Sequence, residues 1–314
     1  MLSNLERVLF IVLVIFSSGL SFITYSRMFK AIGRGTQPIN WIKVIKNWPK
    51  GMSVFLSQKT LFKSRTFVAI IHAGVAWGFS FYLIVNIVDV LYGMVPDFHF
   101  LPNHFVGHAY RLFVDIFTML VLFGVLYFLA RRFLFKNEKL NINEPVLISE
   151  RAKKGIRLDS ILVGTFIIFH VGFRFIGASA EIALNGNDWF QPGATLLATL
   201  WSSLEQDNLV FLEHLSWWIS LGLIMAFFPY FPYSKHAHLF MGPLNYMASV
   251  DRRSPSTLEI MDLEDESVEQ FGAGKIEHLP QKEILDAYAC IMCNRCQDVC
   301  PAYQTGKELS PAAL

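Results

Sequence analysis

Five long apolar blocks restrict the fold of this chain more than any other feature. Each block approaches or exceeds the ~20 residues that an α-helix needs to cross the ~30 Å hydrocarbon core of a membrane. Only 17% of the residues are charged, whereas soluble domains average about 25%. The sequence therefore predicts an all-α membrane protein in which residues 1–248 form a five-helix transmembrane domain. The predicted spans cover about residues 8–28, 66–95, 109–135, 158–184 and 209–231.

The charges of the connecting loops predict which side of the membrane each loop faces. Residues 29–65 contain eight Lys or Arg and no acid, and residues 131–157 contain eight Lys or Arg and three acids. Residues 96–108 and 185–208 contain no Lys or Arg. Because basic loops tend to stay in the cytoplasm, we expect the N-terminus outside and the tail after the fifth span inside.

Two parts of this domain have more than one interpretation. The first block could be a signal peptide, but most of its positive charges follow it and it shows no small-residue cleavage site. We therefore expect a retained helix. Residues 41–62 mix Trp, Ile, Phe and Lys, which fits either a segment lying flat at the membrane surface or an ordinary loop.

All four cysteines of the chain lie within eleven residues, from Cys290 to Cys300. Such close spacing is unsuited to a disulfide framework and is typical of a metal site in a reducing compartment. Cys290, Cys293, Cys296 and Cys300, followed by Pro301, have the spacing of bacterial ferredoxins, which predicts a [4Fe–4S] cluster. A zinc site would more often have two cysteine pairs separated by a longer stretch.

The surroundings of the cysteines predict a partial ferredoxin-like segment at residues 281–314. A polar linker, residues 249–280, precedes it, and residues 281–289 are expected to form a short helix that leads to Cys290. In ferredoxins with two clusters, the fourth cysteine of a motif binds the other cluster. Cys300 therefore completes one cluster here or serves a second cluster in a longer chain, of which this sequence is expected to be a fragment or a split part.

Histidines in or near the apolar blocks predict haem b, because an ionisable side chain inside a membrane is costly and usually functional. His72, on the second span, is predicted to pair with His238, just after the fifth, as axial ligands of a haem near the cytoplasmic side. His236 is the reserve ligand. His214, on the fifth span, and His170, on the fourth, have similar estimated depths and are candidates for a second haem.

The second haem has several possible ligand sets. His214 could instead pair with His108 or His104 at the outer edge of the third span, or bind a five-coordinate haem alone. Arg174 could hold a haem propionate or form a plain buried ion pair, and Glu181 is expected on the same helix face. Arg111 and Asp115 are expected to form an i, i+4 pair. Gly74 and Gly78, near His72, fit either a porphyrin edge or close helix packing.

Two groups of residues form a recognisable pattern around the fifth span and before the cysteines. They are Glu213-His214, Trp218, Pro232-Tyr233-Ser234-Lys235, His238, Gly242-Pro243-Leu244-Asn245 and Asp286-Ala287-Tyr288-Ala289-Cys290, which leads into the other cysteines. This pattern resembles that of the membrane Fe–S oxidoreductases related to heterodisulfide reductase. In that family a haem b domain like the nitrate reductase gamma subunit is joined to a cluster and cysteine-rich domain.

The resemblance implies electron exchange between a cytoplasmic partner and menaquinone in a bacterial or archaeal inner membrane. An electron-transferring flavoprotein or an Fe–S subunit is the implied partner, and no nucleic acid is expected. Full-sized members carry a second ferredoxin motif and further cysteine repeats, which this sequence lacks, so heterodisulfide chemistry is not expected. The nitrate reductase gamma pattern has a second histidine ten residues after the first on the second span. Tyr82 occupies that position here, which leaves the second haem open.

The predicted function is therefore membrane electron transfer as part of a quinone-linked oxidoreductase. Quinone reduction requires protons, and Lys235, Asp115 and Glu213 are candidates to supply them. The alternative is a non-catalytic membrane anchor that conducts electrons but has no quinone site of its own.

Overall fold

The computed structural model describes residues 2–101, 104–249, 262–267 and 271–314, and these residues form helices, turns and loops. Their β-structure is limited to one isolated bridge, between Thr36 and Pro280. In chain order the helices are α1 (Asn4–Gly33), α2 (Trp41–Lys46), α3 (Trp48–Ser57), α4 (Lys59–Phe62), α5 (Thr66–Met94), α6 (Phe105–Leu129), α7 (Glu150–Asn185), α8 (Pro192–Ala198), α9 (Gln206–Phe227), α10 (His238–Met247), α11 (Gln281–Ala289), α12 (Arg295–Asp298) and α13 (Pro301–Gln304).

Five of these helices, α1, α5, α6, α7 and α9, are long and apolar enough to cross a membrane. Each coincides with one predicted span, so the prediction of an all-α protein with five such helices is confirmed. The structure also confirms the short helix before Cys290, which is α11. Of the predicted linker at residues 249–280, residues 250–261 and 268–270 lie outside the described residues.

Helix ends differ from the predicted ones where charged residues or prolines occur. The fourth long helix begins at Glu150 rather than at about 158, because the Ser149 hydroxyl caps it by accepting the N–H of Ala152 at 3.2 Å. The fifth ends at Phe227 rather than at about 231, and Pro229 follows where a helix would lose a hydrogen bond. Helix α6 continues beyond Leu129 as a π-helical turn.

The chain forms two compact units. The first contains Met1–Ser21, Thr60–Tyr230 and Asn294–Leu314, and the second contains Phe22–Lys59 and Phe231–Cys293. Helix α1 contributes its first part to one unit and its last part to the other. The cysteine motif is also divided, since Cys293 is the last residue of the second unit.

The core of the first unit lies between α5, α6 and α7. It is a cluster of buried, mostly β-branched side chains: Tyr82, Val85, Val114, Val121, Val125, Val163, Ile167 and Val171. A Cβ atom at Gly78 would lie 2.6 Å from Val121 Cγ2, so glycine lets α5 and α6 approach closely. The structure therefore favours the packing interpretation of Gly78. The first part of α1 packs on α9, where the Ser17 hydroxyl donates to Met225 O at 2.6 Å.

In the second unit, α10 packs against α3 and α11. The Asn47 side chain donates to Met247 O at 3.1 Å, which fixes the junction of α2 and α3 to the end of α10. Residues 41–62, which the sequence left as a surface segment or a loop, are thus largely helical. Trp41, Ile42, Ile45 and Trp48 are exposed on these short helices.

Candidate cofactor-binding site

Helix α11, which leads to Cys290, is fixed at its start by backbone contacts within the second unit. Thr36 N–H donates to Leu279 O and Gln281 N–H donates to Thr36 O, both at 2.9 Å. A Cβ atom at Gly35 would lie 2.7 Å from Leu279 O, so only glycine permits this approach. Farther along α11, Asp286 accepts hydrogen bonds from Asn245 and from Lys282. These contacts set the direction in which the chain enters the cysteine motif.

The residues after Cys293 are fixed in the first unit by a different set of contacts. The carbonyl of Asn141 accepts hydrogen bonds from the side chains of Asn294 at 3.2 Å and Gln297 at 3.4 Å. Arg65, at the start of α5, forms a salt bridge of 2.6 Å with Asp298. Both partners, Asn141 and Arg65, lie in the loops that carry the excess of Lys and Arg.

None of the four cysteines forms a disulfide. Met292 and Asn294, which flank Cys293, both have left-handed backbone angles, with φ of 53° and 60°. Successive backbone N–H groups next to such residues form concave sites that suit anions, including the sulfur atoms of a cluster. Desolvation raises the pKa of the Cys290 thiol despite a hydrogen bond from Met292 N–H.

The thiols have the right chemistry and spacing for a cluster, but they are not gathered around a common point. Among the described residues, no group of three or more His, Cys, Asp or Glu side chains is arranged to hold a metal ion. Cluster binding therefore requires the cysteine side chains to converge. The assignment of Cys290, Cys293, Cys296 and Cys300 as ligands remains a prediction from the motif.

His238, His170 and His214 each have an oxygen partner at Nδ1. His238 Nδ1 lies 2.7 Å from Lys235 O, and His170 Nδ1 lies 3.0 Å from Ser220 O. His214 Nδ1 lies 3.0 Å from a carboxylate oxygen of Glu6. An oxygen acceptor at Nδ1 places the proton there and leaves Nε2 basic, which is the usual arrangement of a metal-binding histidine. Burial also lowers the pKa of His238, so its ring is neutral at pH 7.

The surroundings of the histidines differ in how well they suit a haem. His170 is only 1% exposed, and its ring stacks on Phe166 and meets Tyr82 edge-on. A haem at His170 would require these two side chains to move. His72 is half-buried and faces Phe128 edge-on, with ring centroids 6.3 Å apart.

The proposed pairs remain predictions. His72 belongs to the first unit and His238 to the second. His214 is anchored through Glu6, whose other oxygen accepts the N–H of Ser3 in a helix-capping arrangement. Trp218 also donates to Glu6, at 3.1 Å.

The reserve histidines have other contacts. His108 stacks on Phe190 with ring centroids 4.0 Å apart. His104 caps the start of α6, where its Nδ1 accepts the N–H of Gly107 at 3.3 Å. His236 is buried and packs edge-on against Phe231.

Arg174 forms an ion pair, the second of its two sequence interpretations. Its Nε lies 3.0 Å and its Nη2 3.3 Å from the two carboxylate oxygens of Asp89 on α5. Trp217 donates to the backbone carbonyl of Asp89 at 2.9 Å. Sequence reasoning overlooked Asp89, although an acid inside an apolar block, here five residues before the end of α5, is itself a signal of a buried partner. A role of Arg174 at a haem propionate stays a prediction.

The expected pair of Arg111 and Asp115 needs correction. Arg111 forms a 2.8 Å salt bridge with Asp188. Asp115 accepts the backbone N–H groups of Gly193 at 2.7 Å and Ala194 at 3.0 Å, and so caps the start of α8. The N–H groups at a helix start have no partner within the helix and interact favourably with a carboxylate.

Comparison with known proteins finds two curated relatives. The chain is 33% identical over 268 residues to the "Probable iron-sulfur-binding oxidoreductase FadF" of Bacillus subtilis (strain 168), a match that covers 82% of this chain and 34% of that protein. It is 28% identical over 246 residues to the "EtfAB:quinone oxidoreductase" of Syntrophomonas wolfei subsp. wolfei (strain DSM 2245B / Goettingen), which covers 76% of this chain and 33% of that protein. No family model matches the chain, and no solved structure matches it.

These matches support the coarser part of the sequence resemblance. The chain spans about a third of the length of the curated relatives it matches. It is therefore a distant homologue, over most of its own length, of proteins named as an iron–sulfur-binding oxidoreductase and a quinone oxidoreductase.

Proposed function

We propose that this chain is a membrane electron-transfer module that passes electrons between a cytoplasmic redox partner and the quinone pool. The observation that carries the proposal is a ferredoxin-spaced set of four cysteines in a chain with five helices long enough to cross a membrane. The printed names of the two relatives support the same class of reaction, and one of them names an EtfAB partner and a quinone.

In this proposal Cys290, Cys293, Cys296 and Cys300 hold a [4Fe–4S] cluster, and His72 and His238 hold a haem b. Both groups carry single electrons. A second haem would use His214 with His170, with His108 or with His104, or His214 alone. The carbonyl of Lys235 keeps the proton of His238 on Nδ1, and Glu6 does the same for His214. Menaquinone is the proposed quinone and an electron-transferring flavoprotein the proposed partner.

One observation favours the anchor alternative. Asp115, one of the three proposed proton donors, is occupied by the N–H groups that start α8. Lys235 and Glu213 then remain as the proposed acid–base groups for quinone reduction. If neither serves a quinone, the chain conducts electrons to a site on another subunit.

A redox titration of the purified protein with visible and EPR spectra tests the proposal. We expect a [4Fe–4S] signal and a haem b signal, and about four non-haem irons per chain. Adding a menaquinone analogue to the dithionite-reduced protein should oxidise the haem. A haem that stays reduced, in a protein with both cofactors present, supports the anchor alternative instead. Absence of both cofactors would refute the proposal.

Replacing His238 with Ala tests the haem assignment. We expect the variant to lose the low-spin spectrum of one haem, because an axial nitrogen is removed. His99→Ala, an exposed histidine bonded to Asp97 O, is the matched control and should keep the wild-type spectrum. An unchanged spectrum in the His238 variant would show that another residue is the ligand.

A further inference from the structure

The cysteine arm, residues 294–310, is held against the rest of the first unit by a short loop, residues 141–147. The backbone carbonyl of Asn141 faces three side chains of the arm: those of Asn294, Gln297 and Tyr303, at 3.2, 3.4 and 3.4 Å. The Tyr303 hydroxyl also accepts the N–H of Asn143 at 3.1 Å. One carbonyl thus serves as a common anchor for residues on both sides of Cys296 and Cys300.

These contacts are buried, which makes them costly to break. Asn294 and Gln297 are 2% and 3% exposed, and a buried polar group that loses its partner costs more than the hydrogen bond contributed. The Ser310 hydroxyl donates to the Gln297 side chain at 2.5 Å. Leu147 N–H donates to Glu308 O at 3.2 Å. The contacts between the loop and the arm therefore extend nearly to the end of the arm.

A second attachment holds the arm to the start of α5. Arg65, whose side chain is only 9% exposed, forms a 2.6 Å salt bridge with Asp298. Arg295 donates to Thr60 O at 3.1 Å. The attachments therefore come from both loops that carry excess positive charge, and they lie on either side of Cys296.

We propose that residues 141–147, Thr60 and Arg65 form a docking seat that keeps Cys296 and Cys300 stationary against the membrane helices. Tyr303 and Arg65 are positioning residues in this arrangement. The inference rests on the proposed electron-transfer function and adds to it that the cluster is a fixed relay. The proposal excludes a mechanism in which the cluster moves on a flexible segment between its electron donor and its electron acceptor.

Hydrogen exchange of the full chain, with and without cofactors, tests the seat directly. In the wild-type protein the amides of residues 295–305 should be protected even without a cluster. Tyr303→Phe and Arg65→Gln should each accelerate their exchange roughly three- to tenfold, the loss expected for one or two hydrogen bonds. Tyr233→Phe and Lys153→Gln are matched controls, since Tyr233 is exposed and Lys153 pairs with Glu150 on the surface. Both controls should leave the exchange unchanged.

Swapping the charges of Arg65 and Asp298 distinguishes loss of their salt bridge from general destabilisation of the fold. Arg65→Asp and Asp298→Arg should each accelerate exchange of the arm, and the two together should restore protection. If wild-type arm amides exchange as fast as those of an unstructured peptide, or if the double variant is no better than the single ones, the seat is refuted.

A kinetic measurement on the loaded protein tests the fixed relay. Transfer of electrons from the reduced cluster to the haem should keep its rate when glycerol raises the solvent viscosity. A rate that falls in proportion to viscosity would show a swinging segment and overturn the proposal. The menaquinone assay is a separate measurement, so failure of quinone reduction with a protected arm refutes the proposed function and leaves the seat intact.

Discussion

Arg174 and Asp89 illustrate how a single contact can dominate the energetics of a membrane helix. The two side chains are 15% and 18% exposed, and they join α7 to α5 near the end of α5. Bringing two charges out of water costs several kcal/mol per ion, which only a well-formed pair offsets. Trp217 further fixes the Asp89 backbone. We therefore expect this pair to be sensitive to loss of either partner.

Replacing Arg174 with Gln should lower the free energy of unfolding by about 3–5 kcal/mol, because it leaves the Asp89 carboxylate buried without a counter-charge. The double variant Arg174→Gln with Asp89→Asn should recover most of the loss. Thermal unfolding of the detergent-solubilised protein measures both. Arg157→Gln, at an exposed arginine, is the control. Equal destabilisation by the single and double variants would contradict the buried-charge explanation.

At the scale of secondary-structure elements, the short helices α2 and α3 present an apolar and basic surface. Trp41, Ile42 and Trp48 are exposed, and residues 29–65 have eight basic residues and no acid. Helices of this composition lie in the plane of a membrane surface and attract anionic lipids.

The fluorescence of these tryptophans provides a test in lipid bilayers. The difference between the emission of the wild-type protein and that of the double variant Trp41→Phe with Trp48→Phe gives the emission of these two residues. We expect lipids brominated near the headgroup to quench it, because the rings insert at the interface. Quenching by aqueous iodide instead of brominated lipid would show that the segment is an ordinary solvated loop.

The elements that could be predicted from sequence are those governed by local chemistry. The five long helices follow from the length of apolar sequence that a membrane requires, and the cysteine motif is complete within eleven residues. The sequence does not predict the first turns of α7, because residues 150–157 are rich in charge, which is typical of a loop. The partner of Arg174 was missed because Asp89 lies 85 positions away in sequence, and helix neighbours cannot be read from a single sequence. The contacts of Asn141 were missed for the same reason.

At the scale of the whole molecule, residues 279–314 contact both loops that carry an excess of Lys and Arg. Each of these contacts lies within one of the two units. Thr36 pairs with the backbone next to α11, and Arg65 and Asn141 contact the arm after Cys293. Within the first unit, Arg65, Asn141 and the arm after Cys293 therefore lie at the same end of the long helices. The positive-inside rule predicts that this end faces the cytoplasm.

Reporter fusions test this orientation in bacterial cells. Green fluorescent protein joined after Leu314 should fluoresce, because it folds in the cytoplasm. Alkaline phosphatase inserted next to Trp189, a 90% exposed residue in a loop without Lys or Arg, should be active, because it requires the outside. The opposite pattern of reporter activity would invert the predicted topology.

The order of residues in the docking seat has a consequence for biosynthesis. Arg65 and Asn141 are translated long before the arm that they contact, and α9, the fifth of the long apolar helices, is also complete before Cys290 emerges from the ribosome. The surface that receives the arm can thus be assembled before the cysteines are synthesised. If the cysteines bind iron as proposed, we expect iron loading to be a late step of maturation, on cysteines whose binding surface is already folded.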